Sequence, residues 1–257
     1  MILRDISFHT PDENVLFDDL LLMRMEREGG GGFLRFWESP IPFIVLGRIS
    51  RQDEDLWLDR VQLDRIPVIR RSSGGGTVLQ GPGCLNYSLI VPKDDDPEYA
   101  DVNHSYRRIL GKIIDGLAFE GLRVDFRPLS DMILLSATNE ERKFSGNAQR
   151  RARHYFLHHG TILFDFNLKL MEQYLRIPEQ MPEYRQGRPH SDFVTNMALP
   201  LTRIKKILMS AFGIESQDNR ISTEEMVMLQ SLKESRKAEK NGLSFESFSG
   251  FEKMGIY

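Results

Sequence analysis

The chain is 257 residues long, with 40% apolar and 28% charged residues and a formal net charge of −3. That size and composition suit one large α/β-sized globular domain, or one domain with a short appendage. The charge leaves no electrostatic footprint for nucleic acid or a membrane surface, the single cysteine excludes internal disulfides and multi-cysteine metal sites, and no apolar run approaches the ~20 residues of a bilayer span.

The opening MILRDISFHTPDEN turns polar within a few residues, so no signal peptide is expected and a cytoplasmic location is the default. Asp12 to Glu28 predicts a helix, with Val15, Leu16, Leu20 and Met23 at helical spacing behind Pro11. Gly29 to Gly32 ends it and leads into a strand, FLRFWE, so these glycines read as a connector. IPFIVLGR and PVIRR predict short buried strands around a polar helical piece at Asp53 to Asp64. Thr77 to Gln80 and Leu85 to Val91 are further strands on either side of Gly81-Pro82-Gly83.

Glu98 to Phe119 predicts one long helix whose buried face carries Tyr99, Val102, Tyr106, Leu110, Ile113 and Leu117. Met132 to Leu135 and Phe156 to Phe166 predict strands, with RKFSGNAQRRARH between them. Strands and helices alternate to about residue 170, which predicts an α/β class with a central sheet. Ile177 to Pro200 carries four prolines and reads as an irregular covering segment. A helix at Leu201 to Phe212 follows, and Ser222 with Glu225 has capping-box spacing ahead of a charged helix ending near Lys240. Residues 1–212 are thus expected to form the main domain and 213–257 a short helical tail.

Three segments can carry chemistry. In RRSSGGGTVLQGPGCLNYS, Arg70 to Ser88, the glycines remove every Cβ, so main-chain N–H groups can converge on phosphate oxygens while Arg70 and Arg71 add charge. The stretch is neither a P-loop nor a Rossmann fingerprint, and a plain turn between strands competes with the anion cradle. Arg142 to Gln149 reads as a loop closing over a ligand, with Lys143 offsetting charge on a carboxylate and a phosphate as they react; the alternative is a surface hairpin with a solvated lysine. His158 and His159 stand on a strand and point to opposite faces, so they form no two-histidine metal site. Cys84 could act as a nucleophile with either histidine as base, but its place at the start of an apolar strand favours a small buried hydrophobe. Arg150, Arg151 and Arg153 read as a solvated face or a contact for an acidic protein.

RRSSGGGTV, RKFSGNAQRR and HHGTILFDF, in that order and with VLGR at Val45 to Arg48, resemble the lipoate–protein ligase family, within the superfamily of biotin–protein ligases and octanoyltransferases. The resemblance covers about residues 10 to 170, and SSGGG stands where a biotin ligase would carry a GRGRxGR-like loop. It implies a mixed central sheet flanked by helices, akin to the class II aminoacyl-tRNA synthetase and biotin synthetase core. It implies that lipoate, or octanoate, is activated by ATP with Mg²⁺ as acyl-AMP and passed to a lysine of a lipoyl carrier. Such carriers are the lipoyl domains of 2-oxoacid dehydrogenases or the glycine cleavage H protein. By the same resemblance Arg71 contacts the nucleotide phosphates, and Ser73, Gly74, Gly75, Gly76, Thr77, Val78 and Leu79 line the adenylate. Lys143 bridges the acyl carbonyl and the phosphate; Asp131 sits near Mg²⁺; Asn86, Ser145, His159 and Gly160 are further candidates.

Two departures matter. Many family members have His-Asp after the glycines, where this chain has Gln80-Gly81. The tail is shorter than the accessory domain of long ligases, so an accessory subunit, or ATP-free acyl transfer between carriers, is the alternative expectation.

Overall fold

The structure, a computed structural model, describes residues 1–240 apart from Leu129 and Gln180. Strand β1 (Ile2–Asp5) leads into α1 (Pro11–Glu28), whose start is set by Thr10, where the side chain accepts from the Glu13 N–H, by Pro11 in the first turn and by Asp12 and Glu13 beside it. Next come β2 (Phe33–Trp37), β3 (Phe43–Leu46), the short helices α2 (Gln52–Asp55) and α3 (Leu58–Leu63), then β4 (Val68–Arg70), β5 (Val78–Gln80) and β6 (Cys84–Pro92). The remainder is α4 (Val102–Ala118), β7 (Val124–Arg127), β8 (Asp131–Leu135), β9 (Glu141–Arg151), β10 (Tyr155–Leu163), α5 (Lys169–Tyr174), α6 (His190–Phe193), α7 (Leu201–Ala211), β11 (Ser216–Gln217) and α8 (Thr223–Lys240).

Among the described residues these strands form an eight-stranded sheet, ordered β11-β1-β2-β6-β10-β9-β8-β7, and a three-stranded sheet ordered β4-β3-β5. The large sheet is parallel only at its β11-β1-β2 edge, so the expected mixed sheet flanked by helices is what forms. One face packs on α4 and α7 through Phe36, Tyr87, Ile113 and Ile204. The other meets α1 through Phe33, Ile90 and Leu157. None of the described helices is long and apolar enough to cross a membrane.

Register turns the α1 side of the sheet into ordered rows, because directly paired residues point to the same face. Phe33, Ile90 and Leu157 form an apolar row; Arg35, Ser88, His159 and Ala148 form the next; Trp37, Asn86, Thr161, Gly146 and Asp131 form the third. Polarity therefore rises along the strands from under α1 toward the three-stranded sheet.

Three expectations need correction. Arg142 to Gln149 is no loop but the middle of β9, paired with β8 on one side and β10 on the other. The helix drawn over Glu98 to Phe119 is broken: a 3₁₀ turn spans Pro97–Tyr99, and α4 starts at Val102 because the Asp101 side chain accepts from the His104 N–H. Val102, in the first turn, is 44% exposed, and Ser105 and Ile109 share the buried face instead. The capping box is as expected, with the Ser222 N–H donating to Glu225 at 2.9 Å and the Glu225 N–H to Ser222 Oγ at 3.1 Å. Of the expected tail, β11 joins the sheet edge and α8 packs along α1 with Leu229 in its core; 241–257 lie outside the described residues.

His158 faces α4, opposite to His159. It is fully buried, with Nδ1 at 3.2 Å from the Gln149 amide and Nε2 at 3.3 Å from the Tyr87 hydroxyl, and burial pulls its pKa from 6.5 to about 3. A depressed pKa means that the unfolded chain takes up the proton first. The stability His158 contributes is whole above about pH 6.5 and is lost as pH falls toward 3, at about 1.4 kcal/mol per pH unit. His158→Gln is expected to flatten the fall of the urea midpoint between about pH 6 and 4.5 by one proton's worth of slope; parallel curves for the two proteins would refute this.

Candidate functional site

The second and third rows floor a cavity of about 380 Å³, roofed by the three-stranded sheet and closed at one side by residues of the 171–194 segment. Val15, Trp37, Val45 and Val78 give it one apolar wall, and Leu79, Leu163, Phe193 and Val194 another. Its polar groups gather where the glycine segment faces β9.

That segment is organised by Arg71, which is only 8% exposed. Its guanidinium donates to the carbonyls of Gly74 (2.6 Å) and Gly76 (2.8 Å) and, through Nε, to Ser73 Oγ (3.1 Å). Gly75 adopts φ +83°, a left-handed conformation that a side chain disfavours, and a Cβ there would lie 2.9 Å from the guanidinium. By contrast, a Cβ at Gly74 or Gly76 would meet nothing within 4 Å, so packing does not demand glycine at either position. Burial lowers the Arg71 pKa to about 10, which leaves it charged at neutral pH, and no carboxylate is among its hydrogen-bond partners.

Lys143 reaches the cavity from β9. The β8–β9 ladder shifts register between Met132 and Ile133, so that Ser145 faces Met132 but Lys143, not Phe144, faces Ile133. This bulge at Phe144 re-aims the lysine. Its Nζ lies 2.7 Å from Asp131 Oδ1, while the Tyr184 hydroxyl donates to Asp131 Oδ2 at 2.6 Å. Asp131 thus already holds an ammonium and a phenol. No group of three or more His, Cys, Asp or Glu able to hold a metal occurs among the described residues. The side chains present do not fit a resident Mg²⁺ site: the Lys143 ammonium stands where a divalent ion on Asp131 would have to sit.

The remaining candidates fall into place around these two centres. His159 Nε2 is 2.6 Å from Ser73 Oγ, and burial beside Arg71 lowers its pKa to about 3, so it is a neutral partner at physiological pH. Ser145 and Asn147 line the cavity next to Lys143; Asn147 accepts from the Tyr87 hydroxyl at 2.5 Å and donates to the Ser130 carbonyl at 2.8 Å. Gly160 makes room for that bond, since a Cβ would fall 1.8 Å from Asn147 Oδ1. Asn86 accepts from Thr161 Oγ1 (2.7 Å), which in turn accepts from Gln80 Nε2 (2.9 Å). The structure therefore brings Arg71, Gly75 through Leu79, Asn86, Asp131, Lys143, Ser145, His159 and Gly160 to one cavity, with Ser73 and Gly74 bonded to Arg71 behind its wall. Cys84 is not among its lining; it is fully buried and burial pushes its thiol pKa far up.

Reading the sequence missed Asp18, Asp19, Ser72, Asn147 and Tyr184. Asp18 pairs with the fully buried Arg35 at 2.7 Å, and Asp19 with Arg150 at 3.0 Å. The signal for the first two was two adjacent acids on the apolar face of α1, which call for buried partners. With Asp18, Asp19 and Asp131 each paired to a cation, the cavity's balance is set by three arginines, Arg71, Arg176 and Arg185, against one acid, Asp55, all four lining it with no ion-pair partner among the described residues. An elongated apolar ligand ending in an anion is the chemistry this arrangement suits.

A family model described as the lipoyl protein ligase A/B catalytic domain matches residues 10–213. The probable lipoate-protein ligase A of Mycoplasma pneumoniae is 27% identical over 167 residues, 65% of this chain and 46% of the relative. Lipoate-protein ligase LplJ of Bacillus subtilis is 29% identical over 192 residues, 75% of this chain and 54% of the relative. Octanoyltransferase LipM of Bacillus cereus is 26% identical over 194 residues, 68% and 69% of the two chains. This chain spans about half the length of the two ligases, 46% and 54%. Among solved structures, a bi-partite lipoate protein ligase from Thermoplasma acidophilum superposes with a TM-score of 0.76 at 19% identity, covering 90% of this chain and 91% of that one. A lipoate-protein ligase A bound with ATP gives 0.73 at 19% identity, covering 90% and 93%. A shared fold and a family match over most of the chain agree: this protein belongs to the lipoyl protein ligase A/B catalytic-domain family, which holds both lipoate–protein ligases and octanoyltransferases.

Proposed function

We propose that the protein is an ATP-dependent lipoate–protein ligase, which activates lipoate or octanoate as acyl-AMP and transfers the acyl group to a lysine of a lipoyl carrier. The observation that carries this reading is the single cavity in which an apolar trough meets an unneutralised buried arginine, an open glycine segment and Lys143. The trough suits the acyl chain, and the open space over Gly76 suits the close approach of an adenylate.

In the first step a carboxylate oxygen of the acid attacks the α-phosphorus of ATP, the P–O bond to the β-phosphate breaks, and pyrophosphate leaves. Arg71 holds the glycine carbonyls and brings positive charge to the phosphate, while Lys143 swings from Asp131 to the oxygens shared by acyl carbonyl and phosphate. In the second step the carrier's amine attacks the acyl carbon, the bond to the phosphate oxygen breaks, and AMP departs. Lys143 again faces the charge that develops on the carbonyl oxygen. Mg²⁺ would enter with the nucleotide's phosphates rather than from a protein cage, and no step here runs through it.

The acceptor we assign is a lipoyl domain or an H-protein-like carrier, by analogy with the Thermoplasma enzyme described together with its E2 lipoyl domain, and we propose the cytoplasm as the place of reaction because ATP is available there. The second reading, ATP-free transfer between carriers, draws on the LipM match. Against it stands the cysteine count: the chain has one, Cys84, which is fully buried and lies outside the cavity, so a thioester-forming nucleophile is lacking.

Purified protein, lipoate and an unmodified lipoyl domain, followed by intact mass with and without Mg-ATP, decide between these readings. ATP-dependent modification is expected; modification only from an acyl-carrier donor would favour transfer, and modification only after adding an accessory ligase subunit would make this chain one half of a bipartite enzyme. Lys143→Ala should lower acyl-AMP formation on the order of a hundredfold or more while thermal unfolding barely moves, since the side chain is partly exposed. Cys84→Ser should keep most of the turnover, and complete loss in a folded variant would revive the transferase. Gly76→Ala separates cradle from turn: unfolding stability within about 1 kcal/mol of the parent, with a clear loss of adenylate affinity. Unchanged affinity in that variant would reduce the glycines to a turn.

A further inference from the structure

The helix that follows the family-matched residues reaches back to the wall of the cavity. Asp19, on α1, is 6% exposed and lines it. Its Oδ1 takes the Ser72 hydroxyl of the glycine segment and Arg150 of β9 at 3.0 Å; its Oδ2 takes Arg236 Nη2 of α8 at 3.4 Å. One carboxylate thus joins the anion-facing segment, the strand that carries Lys143 and a residue beyond the matched range 10–213.

The rest of α8 holds Arg236 to this place. Glu225 receives Arg4 at 3.0 Å and Arg24 at 2.9 Å, Leu229 is buried against α1, and Lys233 meets Glu13 at 2.6 Å. Arg236 is therefore delivered by a helix pinned along its length. Among the described residues its Nη1 is buried without a hydrogen-bond partner, and Asp19 is the one carboxylate that the guanidinium meets.

We propose that Arg236 is a positioning residue of the anion site: it neutralises Asp19 and so lets that carboxylate hold Ser72 without repelling an anionic ligand. The inference rests on the ligase reading for its ligand, but not for its geometry. An acid facing a phosphate is unfavourable unless its charge is offset, and Arg150 alone would have to offset it once Arg236 is gone. The tail after residue 213 then belongs to the site, and the segment fails to hold its shape without it.

Two readouts test this on the full chain. Hydrogen–deuterium exchange over 72–77 is measured without ligand, and ATP binding by calorimetry, for the wild type, Arg236→Ala, Arg236→Lys and the double variant Asp19→Asn/Arg236→Ala. Arg236→Ala is expected to speed exchange over 72–77 and to weaken ATP binding on the order of tenfold. Arg236→Lys should keep most of both, and the double variant should regain ATP affinity because the carboxylate that Arg150 alone had to offset is gone, a rescue that a purely structural role does not predict. Unchanged exchange over 72–77 in Arg236→Ala, or no regain in the double variant, overturns the proposal. Should Arg236→Ala undock α8 as a whole, Arg236→Lys decides: wild-type exchange and affinity support the role, and their loss refutes it. If the wild type binds no ATP, the ligase reading fails, while the exchange measurement still judges the role of Arg236.

Discussion

A buried guanidinium without a carboxylate sets the terms for the whole cavity. Removing Arg71 from water costs several kcal/mol unless its donors are met, and the carbonyls of Gly74 and Gly76 meet them. Carbonyl dipoles satisfy the hydrogen bonds but leave the net charge in place. The segment must therefore curl around the guanidinium, which requires the left-handed Gly75, and the imidazole beside it must stay neutral. A carboxylate in place of those carbonyls would have quenched the charge that an anion needs. Three of the nearby acids are committed to other cations, Asp18 to Arg35, Asp19 to Arg150 and Asp131 to Lys143, and the fourth, Asp55, holds the Thr77 hydroxyl rather than Arg71.

How far the sequence exposes this arrangement depends on whether a signal is local. Alternation at His158-His159 is local, and the two imidazoles do face opposite sides of the sheet, one against Tyr106 and the other against Ser73. The glycine segment and Lys143 were visible by residue type. The strand through Lys143 was not, because Ser145-Gly146-Asn147-Ala148 has the small polar character of a loop and becomes β only through pairing on both edges. Nor was the bulge at Phe144 legible, since register is fixed between strands and not within one. The Asp19 contacts span |i−j| separations of 53, 131 and 217 positions, and no periodicity within α1 names such partners. For α4, local capping by Asp101 overrode a hydrophobic period that ran one turn too far toward the N-terminus.

The placement of Lys143 on a doubly paired strand has a chemical consequence of its own. A lysine on a loop would have to be ordered by each ligand that arrives, whereas β9 holds the Cα of Lys143 fixed and leaves only the side chain to move. That side chain rests on Asp131, whose other oxygen is held by Tyr184 from the covering segment. The carboxylate thus keeps the ammonium at the cavity edge and aimed inward, next to the bare Gly146 backbone, where a Cβ would come within 3.0 Å of Nζ. A ligand that brings a carboxylate and a phosphate together offers more negative charge than Asp131 does. On the proposed ligase reading, transfer of the ammonium from the protein's carboxylate to the ligand needs a rotation of one side chain and no rearrangement of the sheet, so the cation would act where charge develops and not in ordering the site.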